Sequence, residues 1–92
     1  MVKWLEVIKL RSAGKDPGSL EELLRSMSQV KQSGLVEMQT YRHAALETDL
    51  SVHLLWESDF PEMNGSAPGL RLVQALKEFG LTDHSIWLKE EK

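Results

Sequence analysis

The sequence predicts an α+β fold with its elements in the order β-α-β-β-α-β, and three observations predict it. Two segments carry apolar residues at helical spacing, and four carry them in strand alternation. A loop of Gly, Pro, Ser and Asp precedes each helical segment, and a glycine follows each. The two middle strands are separated by a short polar turn, which implies an antiparallel hairpin.

Residues 2–11, VKWLEVIKLR, form the first strand. Trp4, Ile8 and Leu10 share one face with Glu6, and Leu5 and Val7 occupy the other. SAGKDPGS is a loop. Ser19 followed by Glu22 is a capping-box signature, and Leu20, Leu23, Leu24, Met27 and Val30 make one apolar stripe. The first helix is therefore expected over 19–33, with Gly34 as its C-terminal cap. In the second strand, LVEMQTYRHA, Val36, Met38 and Thr40 alternate with Glu37, Gln39 and Tyr41. After the polar turn ALETD comes the third strand, LSVHLLWE, with Leu50, Val52, Leu54 and Trp56 in one row and His53 and Leu55 in the other. The loop SDFPEMNGSAPG follows. Pro68 suits the first turn of a second helix, whose stripe is Leu72, Val73, Leu76 and Phe79 and which Gly80 ends. TDHSIWLKEE is the last strand, with Ile86 and Leu88 opposite Trp87. This order is the ferredoxin-like arrangement: a four-stranded antiparallel sheet with two helices on one face. It is expected to fill residues 1–92 as a single domain.

The composition narrows the function classes. A chain of 92 residues suits one domain. Without cysteine it has no disulfide and no thiolate metal site, which fits a cytoplasmic protein. Its net charge of −3, with acids and bases interspersed, speaks against nucleic acid as a partner. The central strands also lack the basic and aromatic run with which such sheets bind RNA. The start MVKWLEVIKLRSAGK is too short and too charged for a membrane span or a signal peptide, so no membrane association is expected. No dinucleotide fingerprint, P-loop, nucleophile elbow or zinc pattern is present.

The sheet asks for a partner. Two helices cover one face, yet Leu5 and Val7, Leu55 and Trp87 put apolar side chains on the other. Such a patch is large for a monomer, and burying each side chain is worth about 1.5–3 kcal/mol. A second copy packed sheet on sheet, a homodimer, is the expected arrangement.

The strand LSVHLLWESD, then a loop, then LRLVQALKEFG, then HSIWLKE resemble the dimeric α+β barrel superfamily, and within it the antibiotic-biosynthesis monooxygenase type. The resemblance runs over nearly the whole chain in the order and spacing of elements. It implies sheets packed face to face in a dimeric barrel and a pocket between each sheet and its helices. The superfamily includes cofactor-free oxygenases of polyketide quinones, haem-degrading enzymes, isomerases and decarboxylases. Haem-degrading members pair a strand tryptophan, matched here by Trp56, with a first-strand asparagine and a second-helix histidine. The first strand has no Asn and LRLVQALKEF has no His, so haem is not expected. No cofactor is expected at all.

The candidate ligand-binding residues are Trp56, Leu54, Val52, Glu6 and Phe60. Trp56 either packs in the core or walls a pocket, its indole N–H seeking a partner in both cases. Glu6 shares the row of Trp4 and Ile8, where a buried carboxylate must be paired or serve as an acid or base. The simpler alternative pairs it with a Lys or Arg. Phe60 and Met63 lie in the loop after the third strand, either as part of a lid or as its anchors. His43, His53 and His84 lack ligand spacing, so no metal is expected. Strand pairing is expected to bring His53 near Tyr41 or His43, on the face opposite Trp56. Arg42 suits a carboxylate ligand or a charged sheet edge.

Two functional readings follow. One is a cofactor-independent monooxygenase or isomerase acting on a small apolar or aromatic molecule, through orientation in an apolar pocket and movement of a proton by Tyr, His or Glu. The other is a non-catalytic ligand-binding or assembly protein of the same fold. A cavity lined by Trp56 and polar groups would favour the first, and a filled interior the second.

Overall fold

The structure, a computed structural model, describes residues 1–90. Its elements are β1 (Val2–Ser12), α1 (Pro17–Met27), β2 (Leu35–Arg42), β3 (Asp49–Ser58), α2 (Ala67–Leu76) and β4 (Gly80–Leu88). The four strands form one antiparallel sheet in the order β2-β3-β1-β4. This is the ferredoxin-like fold read from the sequence. The last strand stops at Leu88, and Glu91 of the expected TDHSIWLKEE strand lies outside the described residues.

Period-two alternation places two rows of residues on each long strand. One face carries Trp4, Ile8 and Leu10 of β1 and Leu50, Val52, Leu54 and Trp56 of β3, all buried. Leu20 and Leu24 of α1 and Leu72 and Leu76 of α2 close over them, with Met27, Met38, Val73 and Ile86 at the margin. Trp4 and Trp56, directly paired across β1 and β3, stack with ring centroids 5.6 Å apart and planes 16° from parallel.

The first helix is shorter and starts earlier than its periodicity predicts. Asp16, not Ser19, is the N-cap, and its side chain accepts from Ser19 N at 3.3 Å and Ser19 Oγ at 2.8 Å. Pro17 then fits the first turn. The helix ends at Met27, because Ser28 Oγ bonds back to Arg25 O at 2.7 Å and the backbone tightens into turns through Gln29 and Val30. Val30 therefore leaves the stripe and Gly34 caps nothing. The second helix likewise stops at Leu76, with Phe79 in the following turn and Gly80 opening β4.

Strand β2 differs in one respect. An irregularity between Leu35 and Glu37 pairs Leu35 with Trp56 and Met38 with Leu54. Leu35 thus takes the place on the core face expected of Val36, which is exposed.

The open face is divided along its length. One end carries the cross-strand row Glu37, Leu55, Leu5 and Trp87, the middle Gln39, His53, Val7 and Ser85, and the other end Tyr41, Ser51, Lys9 and Asp83. The apolar side chains expected on this face, Leu5, Val7, Leu55 and Trp87, lie at one end and in the middle, while the other end mixes Lys9, Arg11 and Asp83 with Tyr41 and the exposed Leu81. Val7 is already buried among its neighbours, and Trp87 is exposed.

Candidate functional site

Glu6 is the focus of the site. It lies in the middle of β1 on the helix-covered face, and its side chain is wholly buried. A carboxylate there costs several kcal/mol unless hydrogen-bonded on all sides, and four donors from three parts of the chain surround it. Trp56 of β3 donates its indole N–H to Oε1 at 3.0 Å. Ser66, the N-cap of α2, donates its hydroxyl to Oε1 at 2.6 Å and its backbone N–H to Oε2 at 3.0 Å. His84 of β4 places Nε2 2.7 Å from Oε2. Among the described residues no buried side-chain nitrogen or oxygen lacks a partner.

Local sequence builds this arrangement. Ser66 begins α2 with Pro68 in the first turn, and Ser66 Oγ accepts from Gly69 N at 3.0 Å while donating to Glu6. The positive end of the helix dipole thus meets the carboxylate. Two glycines make the room. A Cβ on Gly69 would lie 2.1 Å from Glu6 Oε2, and one on Gly65 would lie 2.3 Å from His84 Cε1. The segment Gly65–Gly69 is a cradle fitted to these two side chains.

His84 connects the buried carboxylate to the surface: its side chain keeps 17% of its accessibility, against 0% for Glu6. An ionised carboxylate only accepts, so the bond to Glu6 places the proton on His84 Nε2. In the neutral ring Nδ1 then keeps its lone pair. The pair can therefore hold a fixed tautomer and offer a base at Nδ1.

The structure brings Trp56, Leu54, Val52 and Glu6 together in the layer between sheet and helices, all but inaccessible. Phe60 does not join them. It is 80% exposed, and Met63 is exposed beside it, so neither anchors the loop. The loop is tied instead through Ser58, whose hydroxyl donates to Phe60 O at 2.8 Å and accepts from the Trp4 indole at 2.9 Å. The expected pairing of Glu6 with a Lys or Arg is replaced by His84, Trp56 and Ser66.

Sequence reasoning misses Ser66 and His84 as members of the site. The one signal for His84 is parity: it shares a strand face with Ile86, and β1–β4 pairing sets Ile86 opposite Glu6 and His84 opposite Ile8. The other histidines serve different ends. His43 Nδ1 accepts from Ala45 N and Leu46 N, each at 3.0 Å, and closes the β2–β3 turn. On the open face His53 lies against Tyr41, ring centroids 4.8 Å apart, as strand pairing predicts. Burial, and then the neighbouring Lys9 charge, push the His53 imidazole below its ordinary value. Arg42 pairs with Glu21 of α1 and so ties β2 to the helix instead of standing free at the edge.

An open groove of about 450 Å³ lies on the uncovered sheet face, over Tyr41, Ser51, Lys9, Arg11 and Asp83. Trp56, Leu54, Val52 and Glu6 do not line it. Among the described residues no group of three or more His, Asp or Glu is placed to hold a metal ion, and no helix is long and apolar enough to cross a membrane.

No protein-family model matches the chain, and no curated protein matches it in sequence. Solved structures do match in fold. SnoaB, a cofactor-independent oxygenase from Streptomyces nogalater, is 14% identical and superposes with a TM-score of 0.75 over 100% of this chain and 97% of its own. A candidate antibiotic biosynthesis monooxygenase from Chloroflexus aurantiacus is 10% identical, with a TM-score of 0.66 over 98% and 95% of the two chains. A dimeric ferredoxin-like protein from an uncultured marine organism is 15% identical, with a TM-score of 0.55 over 100% and 93%. The chain thus has the ferredoxin-like fold of SnoaB and of antibiotic-biosynthesis-monooxygenase-like proteins along its whole length.

Proposed function

We propose that the protein is a cofactor-independent enzyme that moves a proton on a small, apolar or aromatic molecule, as an oxygenase or an isomerase. The observation that carries this reading is the Glu6–His84 pair, a sealed carboxylate 2.7 Å from an imidazole that reaches the surface. Glu6 holds the ring; His84 Nδ1 takes a proton from an acidic C–H or O–H of the substrate. The resulting anion has two outcomes. Reprotonation at another atom is isomerisation. Reaction with dioxygen at a methylene between two aromatic rings gives a carbonyl and water, with both methylene hydrogens and one oxygen atom leaving as water. The ligand-binding role of Trp56, Leu54, Val52, Glu6 and Phe60 remains part of this proposal: the first four, packed and closed to solvent here, would form the wall behind His84, and Phe60 would act from the loop that carries it.

The protein is proposed to act as a homodimer, with the open sheet faces together. Support comes from the exposed Trp87 beside Leu5 and Leu55 at one end of that face, and from the dimeric protein of like fold.

The test is oxygen uptake and product analysis with small reduced aromatic ketones and hydroquinones, anthrone among them, for the native protein and His84→Gln. Turnover lost in the variant is expected. Turnover equal in both would sink the role of His84.

The second reading, a non-catalytic binding or assembly protein, is favoured by a specific observation: the surroundings of Trp56 and Glu6 are packed and fully hydrogen-bonded. On that reading Glu6 is a latch that seats α2 on the sheet. The native protein would then turn over none of these substrates, while native mass spectrometry would still show the dimer.

A further inference from the structure

We propose that pairing of two copies through the open sheet face is gated by pH, with His53 as the gate. This rests on the pairing proposed above. His53 stands on a central strand, midway between the apolar end of the face, with Leu5, Leu55 and Trp87, and its charged end, with Lys9 and Asp83. Any sheet-on-sheet contact that buries the apolar end and the middle of the face covers it.

The groups around His53 favour a neutral ring. From β1, Val7 lies directly opposite and Lys9 diagonally beyond it. From β2, Gln39 lies opposite and Tyr41 diagonally, its ring 4.8 Å from the imidazole. Glu37 is turned to the Gln39 amide, at 2.6 Å. On β3 itself, Ser51 Oγ is 2.9 Å from His53 Nε2. Asp83 and Ser85 are one strand further away, on β4. Lys9 is the charge that acts on the ring, and among the described residues no carboxylate is bonded to it. In the single copy, burial and Lys9 already hold the imidazole low.

A second copy removes water from the same ring and strengthens both effects. An isologous contact repeats them, since each copy presents its own His53 and Lys9. The sign follows from linkage. The paired state has the lower pKa, so pairing is at full strength above the already lowered pKa of the single copy and weakens as pH falls through it.

Sedimentation equilibrium on the native protein, His53→Gln and His43→Gln at about pH 7.5 and about pH 5 tests this, with NMR titration of the His53 ring at low and high protein concentration. The dimer Kd of the native protein should rise by about tenfold or more at the lower pH, because the ring of each copy takes up a proton that pairing disfavours. His43→Gln should keep that rise and His53→Gln should lose it. The His53 midpoint should fall as concentration increases. A dimer with constant Kd, a rise that survives His53→Gln or vanishes in His43→Gln, or a midpoint that ignores a changing dimer population would overturn the gate and leave the pairing standing. A monomer at both pH values would overturn the pairing, and the gate with it.

Discussion

Glu6 Oε2 and His84 Nε2 lie 2.7 Å apart, one atom wholly buried and the other on a side chain that reaches solvent. The two residues are 78 positions apart and meet because β1 and β4 are neighbours in the sheet. Glu6 also binds the N-cap of α2 through two donors, Ser66 N and Oγ. One carboxylate therefore joins both central strands, the edge strand and a helix terminus. It is the place where the stability of the fold and its proposed chemistry depend on the same atoms.

Replacing Glu6 with Gln tests that dependence. Glutamine keeps the shape but offers one acceptor oxygen and an NH2 group to a site made wholly of donors. One or more of Trp56, Ser66 and His84 must lose its partner in the interior. The cost is expected to be about 3 kcal/mol, read from urea unfolding at neutral pH. A loss below about 0.5 kcal/mol would show that water or a shifted side chain replaces the carboxylate without penalty.

Two glycines that both lie in helices should respond in opposite directions to the same change. Gly18 in α1 has no atom within 4 Å of an added Cβ, so Gly18→Ala should stabilise by up to about 1 kcal/mol. Gly69 in α2 would put its Cβ 2.1 Å from Glu6 Oε2. That clash should outweigh the helix gain and leave a net loss of about 2 kcal/mol. Thermal unfolding of the two variants side by side gives the signs, and a stabilised Gly69→Ala would contradict the cradle geometry.

Much of this fold can be read from the sequence, and the exceptions have physical causes. Alternation places Trp56 with Leu54 and Val52, because both faces of β3 run without interruption. It fails at Val36, because the irregularity at Leu35 and Glu37 inverts the parity of the strand before it. Helical spacing brings in Val30, but it takes no account of Ser28, whose hydroxyl competes for a backbone carbonyl and helps to end α1. At the site, the burial of Glu6 follows from its row, whereas its partners do not. His84 and Ser66 depend on the β1–β4 register and on where α2 begins, and neither is a local property of the chain. Phe60 suits a site by its chemistry alone; loop position fixes no direction for a side chain, and this one points to solvent.

Trp56→Phe separates the indole N–H from the ring. The phenyl ring keeps most of the contact with Trp4, whose centroid lies 5.6 Å from the indole. Glu6 Oε1 keeps the Ser66 hydroxyl but loses the indole donor. A loss of about 1–2 kcal/mol is expected, against about 3–5 kcal/mol for Trp56→Ala, which also leaves a cavity. Urea unfolding of both variants checks the ratio. Equal losses would mean that the hydrogen bond, and not the buried ring, carries the tryptophan's contribution.

Asp16 combines two requirements that different substitutions pull apart. It is the one non-glycine residue with positive φ among those described, at φ 48° and ψ 59°, and its carboxylate caps α1 through Ser19 N. Asparagine tolerates the left-handed region and caps equally well, so Asp16→Asn should be nearly neutral. Glycine is relaxed in that region and costs only a few tenths of a kcal/mol at an N-cap. Alanine neither caps nor adopts the conformation readily, and Asp16→Ala should cost about 1–2 kcal/mol. Thermal unfolding should therefore rank the variants Asn, Gly, Ala from most to least stable. An alanine variant as stable as the asparagine one would mean that α1 starts elsewhere in solution, at the Ser19–Glu22 capping box that the sequence also offers.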